Sequence, residues 1–188
     1  NQSTGEPNPR WQQRARRLGA YEEINVWRRR KKLACYIIHP EAGGQVTTPD
    51  SGIVIFSHPL SRKSKFFFSD SERALTYLQH GYSVLAFDYN GFGESDSIDL
   101  FYWRDVVAII EHVKQHYPHK KIVLHGASFG AFHIIRALEF LPHESEVVLE
   151  NVNKSLLSYW RKWPSTHRLV KLLEFLRLRA VRDMDVQS

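Results

Sequence analysis

Cysteine is almost absent from this chain of 188 residues, where Cys35 is the only one. A single cysteine excludes an internal disulfide and every zinc site built on several thiolates. It falls inside the apolar run Leu33 to Ile38, where a core residue is expected rather than a reactive thiol. Long hydrophobic runs are also missing. No stretch reaches the ~18 uncharged apolar residues that a membrane-spanning helix requires, and the Arg- and Gln-rich N-terminus is too polar for a secretory signal. Because the chain opens on Asn1, any signal or anchor would have to lie in a removed upstream segment. A cytoplasmic protein without a membrane partner is the default expectation.

Acidic residues are scarce at both ends. Residues 1–32 carry nine Lys or Arg against three acids and residues 154–188 carry eight against three, whereas the middle carries nine against fourteen. The net charge of +6 is therefore a basic periphery around an acidic centre. Such a periphery fits a solvated face, and with no RNA- or DNA-binding motif beside it no nucleic-acid partner is expected. Internal repeats and low-complexity tracts are absent as well.

The chain does have enough apolar residues, 43% of its composition, for one domain with a sizeable core. Residues 1–20, with Pro7 and Pro9, suggest a polar basic arm or a short helix. Two β-favouring runs, Tyr21–Trp27 and Leu33–Ile38, flank a cationic turn and predict an antiparallel pair at a sheet edge, which the charge would protect from further pairing. From residue 52 the pattern alternates strand and helix. The strands are expected at Gly52–Ser57, Ser83–Asp88, Lys121–Gly126 and Glu146–Asn151, each a short and nearly continuous apolar run of the kind buried on both faces of a parallel sheet.

Helices are expected between these strands. Ser69-Asp70-Ser71-Glu72 offers a capping box for the first, which Gly81 would stop; the second spans Trp103–His116 and the third runs from Ser128 to Leu141. The prediction is an α/β architecture with a mostly parallel sheet covered by helices on both faces and an antiparallel N-terminal edge pair. The core is placed at residues 21–153. Residues 154–188 read as a basic amphipathic helical stretch, either a cap or lid over a site or the start of a C-terminal part.

The segment Gly126-Ala127-Ser128-Phe129-Gly130 matches G-x-S-x-G and lies between an apolar strand and a helix. A serine nucleophile needs its hydroxyl lifted out of the sheet on a tight strand-to-helix turn, and such a turn tolerates only small residues two positions to either side. The turn also aims the free amides and positive end of the following helix at a reacting carbonyl. Ser128 is thus the candidate nucleophile and the Phe129 backbone amide one candidate oxyanion donor. The second donor is expected in the loop Ser57-His58-Pro59-Leu60-Ser61, at the Leu60 amide. A third block, Phe87-Asp88-Tyr89-Asn90-Gly91-Phe92-Gly93-Glu94-Ser95, reads as a structural turn after a strand.

Taken together, the three blocks resemble the α/β-hydrolase fold, closest to the serine aminopeptidase-like and dienelactone hydrolase-like group, over roughly residues 22–153. The resemblance implies an esterase, thioesterase or peptidase-like serine hydrolase acting on a small acyl substrate through an acyl-enzyme on Ser128, with no cofactor and no metal. It also implies that His58, where the family usually has His-Gly and this chain has His58-Pro59, braces its loop. In that family the triad acid and base follow the nucleophile, on later strands. No further apolar β run follows Asn151, so the acid and base are expected beyond Ser188 and the chain is expected to stop short of the last strands. Glu150, Asp183 and Asp185 are nominal acids and His143 and His167 nominal bases, none of them assigned; His125 and His133 flank the serine but are poorly placed to take its proton. The alternative is a non-catalytic or truncated α/β-hydrolase-like protein that binds without turnover.

Overall fold

The computed structural model describes residues 8–40 and 51–152. It opens with helix α1 (Pro9–Arg16), so the N-terminal segment is helical where the sequence left a loose arm open. Asn8 caps this helix by accepting the Arg10 amide at 3.0 Å, and Pro9 occupies the first turn, where its missing N–H costs nothing. Ala15 in its last turn is fully buried against the domain.

Strands β1 (Ala20–Arg28) and β2 (Lys31–His39) form the expected antiparallel pair, each slightly longer than the apolar runs alone indicate. They are joined by only two residues, Arg29 and Arg30, with φ of 51° and 60°. A two-residue turn of this kind needs left-handed backbone at both positions, a conformation that arginine adopts only at a cost. Ion pairs beside the turn offset that cost. Arg28 donates to Asp105 at 2.6 Å and grips Asp99 with both carboxylate oxygens within 2.9 Å.

The remaining elements alternate: β3 (Gly52–Ser57), α2 (Glu72–Gln79), β4 (Tyr82–Phe87), α3 (Trp103–His116), β5 (Ile122–Ala127), α4 (Phe129–Ala137) and β6 (Glu146–Glu150). Two short 3₁₀ turns, Ser64–Phe66 and Phe68–Asp70, precede α2, and a third, Leu138–Phe140, extends α4 to the length the sequence suggests. The expected capping box before α2 does not form. Ser69 Oγ donates to the Phe66 carbonyl and Ser71 Oγ to the Phe68 carbonyl, so each hydroxyl closes a 3₁₀ turn instead of capping the helix. Gly81, at φ 78°, ends α2 as predicted.

The strands assemble into one sheet in the order β1-β2-β4-β3-β5-β6, with β3, β4, β5 and β6 parallel. This is the predicted mixed, mostly parallel α/β sheet with an antiparallel edge pair. Alternate residues of each central strand feed two cores. Ile53, Ile55, Leu85 and Leu124 pack with α3 and α4 on one face, while Val54, Phe56, Val84 and Val123 pack with α1 and α2 on the other. Every residue of β3 and β5 is buried, which explains why their sequences read as continuous apolar runs. Cys35 is 2% exposed within the first core, where burial pushes its thiol pKa up. Among the described residues no helix is long and apolar enough to cross a membrane. The segment 154–188 lies outside the described residues.

Candidate active site

Parallel strands deliver their C-terminal ends to one edge of the sheet, and Ser128 sits on that edge between β5 and α4. Its backbone is held at φ 51°, ψ −110°. A non-glycine residue there stores on the order of 1–3 kcal/mol and persists only where its surroundings impose it. Two backbone hydrogen bonds impose it here: the Ser128 N–H donates to the Glu150 carbonyl at 2.8 Å, and the Ser128 carbonyl accepts the Phe132 amide at 3.0 Å as the first bond of α4. The hydroxyl does not cap the helix and has no hydrogen-bond partner among the described residues.

Both flanking glycines are required by close approach. A Cβ at Gly126 would lie 2.8 Å from the Ala131 nitrogen and 2.6 Å from Ile134 Cδ1. At Gly130 it would lie 2.0 Å from the Ser57 carbonyl oxygen, because the first turn of α4 is pressed onto the end of β3. Ser57 Oγ donates to the Gly130 carbonyl at 3.1 Å and must therefore accept the Tyr89 hydroxyl, which makes a short hydrogen bond to it. Ser57, Tyr89 and Gly130 thus tie the ends of β3, β4 and β5 together beneath the serine, and neither Ser57 nor Tyr89 was singled out by sequence reasoning.

The Phe129 amide is the first of α4 and has no acceptor among the described residues, as expected of a helix N-terminus. Its ring is buried and packs edge-on against Tyr89 and Tyr102 and at 4.3 Å from the His133 ring. Leu60 follows β3 by three residues, in a loop that begins where Ser57 pairs with Gly126; the residue is 41% exposed, and its amide too lacks an acceptor among the described residues. Leu60 and Phe129 thus belong to the two segments that meet at Ser57 and Gly130.

No described histidine hydrogen-bonds Ser128. His58 is buried, with Nδ1 bonded to the Pro59 carbonyl at 2.7 Å and Nε2 accepting the Tyr89 amide at 3.4 Å, which makes it a brace between two loops. His133 is buried among aromatic rings with neither ring nitrogen bonded among the described residues, and burial pushes its pKa down to about 3. His125 points to the α2 face, where Nε2 meets Glu150 Oε1 at 2.7 Å and Nδ1 meets the Tyr77 hydroxyl at 3.1 Å. Glu150 is further held by Arg73 through both oxygens, at 2.6 and 2.8 Å. Burial raises the Glu150 pKa, but the Arg73 and His125 hydrogen bonds outweigh it and hold the carboxyl below its ordinary range. His143 is exposed on the turn before β6; His167, Asp183 and Asp185 lie outside the described residues.

The third sequence block is built as a turn. Asp88, 1% exposed, accepts the Lys65 backbone amide at 2.8 Å, Lys65 Nζ at 2.7 Å and the Glu94 amide at 3.0 Å. A Cβ at Gly93 would collide with its carboxylate. Among the described residues no group of three or more His, Cys, Asp or Glu is arranged to hold a metal ion.

Comparison with known proteins agrees with this architecture. Residues 48–186 match the family model described as serine aminopeptidase, S33. The chain is 28% identical over 127 residues to proline iminopeptidase PfmaB of Pestalotiopsis fici, which covers 66% of this chain and 42% of that protein. Among solved structures, an esterase of Pyrococcus furiosus superposes with a TM-score of 0.62 at 23% identity, covering 97% of this chain and 65% of the esterase. An alpha-beta hydrolase of Vibrio vulnificus superposes with a TM-score of 0.67 at 16% identity, covering 91% and 61%. The chain therefore spans less than half of the fungal relative and about two thirds of the archaeal esterase.

Proposed function

The chain belongs to the serine aminopeptidase (S33) family of α/β hydrolases, and on that premise we propose that it carries the nucleophile of a serine hydrolase that cleaves an ester, thioester or amide through an acyl-enzyme on Ser128. One observation carries the reading: a serine with strained backbone, φ 51°, on the edge where the parallel strands end, with its hydroxyl unengaged by any described residue and a helix N-terminus directly behind it. Ser128 Oγ attacks the substrate carbonyl carbon and gives its proton to a general base. The Phe129 and Leu60 amides hold the oxyanion. The leaving group departs with that proton, and water then hydrolyses the acyl-enzyme. The base and the acid that orients it come from outside the described residues, since each described histidine near the turn is engaged elsewhere or enclosed. Esterase and peptidase activity in relatives supports the class of reaction and leaves the substrate open.

The test is labelling of the full-length gene product by a fluorophosphonate. Adduct on Ser128, and its loss in Ser128→Ala, is the expected result; undiminished labelling of Ser128→Ala would sink the assignment. A second reading, an α/β-hydrolase-like protein that binds without turnover, draws on the lack of a base among the described residues. It predicts no labelling of the wild type and no acyl-enzyme by mass spectrometry.

A further inference from the structure

Glu150 touches the serine turn with its backbone and a four-residue side-chain cluster with its carboxylate. It is the last residue of β6, in register with Ala127. Its carbonyl accepts the Ser128 amide at 2.8 Å, which makes Glu150 the residue that holds the N-terminal side of the strained serine. Among the described residues the rest of β6 is held by its pairing with β5 and by Leu149 against the core. The strand is at the edge of the described sheet, its first three residues are exposed, and the chain leaves it at once through Asn151 with φ 52°. A strand end of this kind frays.

The side chain supplies the missing constraint. Arg73 on α2 grips both carboxylate oxygens in a fork, at 2.6 and 2.8 Å. His125 Nε2, on β5, reaches Oε1 at 2.7 Å, and the same ring is fixed from its other side by the Tyr77 hydroxyl at 3.1 Å, one turn along α2 from Arg73. The hydrogen bonding is complete with a neutral imidazole: Nε2–H donates to the carboxylate and Nδ1 accepts the tyrosine proton. Burial lowers the His125 pKa, which favours that neutral form. Tyr77 is pushed the other way by its burial, so its hydroxyl keeps the proton it donates.

We propose that Arg73, Tyr77, His125 and Glu150 form a positioning clamp that locks the end of β6 onto β5 and α2 and thereby fixes the backbone of Ser128 for attack. The four are positioning residues, since none touches the reacting atoms. This rests on Ser128 being the nucleophile, and it assigns Glu150 a role other than triad acid, because both its carboxylate oxygens are hydrogen-bonded on the α2 face of the sheet, by Arg73 and His125.

The clamp is tested with the full-length gene product by fluorophosphonate labelling, separating the maximal labelling rate from the half-saturating concentration, and by hydrogen exchange at individual amides. Arg73→Ala, at a half-exposed surface position that leaves the core intact, and Glu150→Ala are expected to slow the maximal rate about tenfold with the half-saturating concentration unchanged. Exchange at the Ser128 amide should rise about tenfold while amides of β3 keep their protection. His125→Leu should behave like Arg73→Ala. His125→Gln, whose amide can donate to Glu150 and accept from Tyr77, should recover most of the rate. Unchanged Ser128 exchange and labelling in Arg73→Ala and Glu150→Ala would overturn the clamp, and so would acceleration spread equally over β3, which would mark a purely structural pair. The two layers fail separately: labelling that survives Ser128→Ala refutes the nucleophile, whereas the exchange arm reports on the clamp whatever the chemistry.

Discussion

Replacing Gly130 with alanine tests whether the G-x-S-x-G spacing is imposed by packing. The added Cβ would sit 2.0 Å from the Ser57 carbonyl oxygen, 2.5 Å from its carbon and 2.8 Å from Ser57 Oγ, so the obstacle is mostly main chain of a buried strand end and cannot rotate away. Overpacking of this sort costs about 1–3 kcal/mol, with the upper end appropriate to a backbone contact. Separating α4 from β3 also breaks the bond from Ser57 Oγ to the Gly130 carbonyl, worth roughly 1 kcal/mol. Alanine returns at most about 1 kcal/mol through its better helix propensity. The net loss is about 3 kcal/mol. At a urea slope of roughly 2 kcal/mol per molar, the unfolding midpoint should fall by about 1.5 M. Gly91→Ala is the comparison: its φ is 76° but its Cβ would meet nothing closer than 3.7 Å, so only the conformational cost of about 1–2 kcal/mol applies. Equilibrium urea unfolding followed by circular dichroism decides between them. If Gly130→Ala proves as stable as the wild type, or no worse than Gly91→Ala, the packing argument for the motif is wrong.

Two further outcomes follow from buried charge. His133 is neutral in the fold, with its pKa pushed down to about 3 by burial, and titrates near 6.5 when unfolded, so below pH 6.5 the unfolded chain binds the extra proton and stability falls as pH drops toward 3. Between pH 6.5 and 5 this one group should cost about 1.6 kcal/mol, and His133→Leu should show a shallower decline by that amount in urea titrations at each pH; parallel declines would refute it. Arg28→Ala leaves Asp105, fully buried, without its cation and should destabilise the chain by roughly 3–5 kcal/mol in thermal or urea unfolding, with partial recovery in Arg28→Ala/Asp105→Asn; a loss under about 1 kcal/mol would contradict the network.

The central strands were readable because burial on both faces leaves a direct compositional trace: Ile53-Val54-Ile55-Phe56 and Ile122-Val123-Leu124 are apolar throughout since each residue faces one core or the other. The Ser128 turn was readable because its two glycines answer two separate collisions, one with α4 itself and one with β3. Helix α1 was readable in principle, through Asn8 as cap and Pro9 after it, but the polar composition around them masked the signal. The serines before α2 misled because each hydroxyl is placed on a preceding 3₁₀ carbonyl, and no α2 amide donates to it. The cluster around Glu150 was not readable: Arg73 lies 77 residues away and His125 25 away, and no periodicity links residues that meet only across a parallel sheet.

A serine held at φ 51° cannot owe its conformation to its own preferences, so the stored energy must be offset by whatever surrounds it. The supports lie on three sides and differ in kind. Beneath, Tyr89, Ser57 and Gly130 form a hydrogen-bonded stack inside a buried core, where an unmet partner is expensive and the geometry is correspondingly stiff. Ahead, the helix accepts the strain as the start of its own ladder through Phe132. Behind, the support is a single carbonyl at the end of the strand at the edge of the described sheet, kept in place by side chains that are themselves partly exposed. Rigidity therefore falls off from β3 towards β6, and the amide of Ser128 lies on the soft side of that gradient. Substitutions in the stack should destabilise the whole domain, whereas substitutions around Glu150 should spare the fold and disturb only the serine.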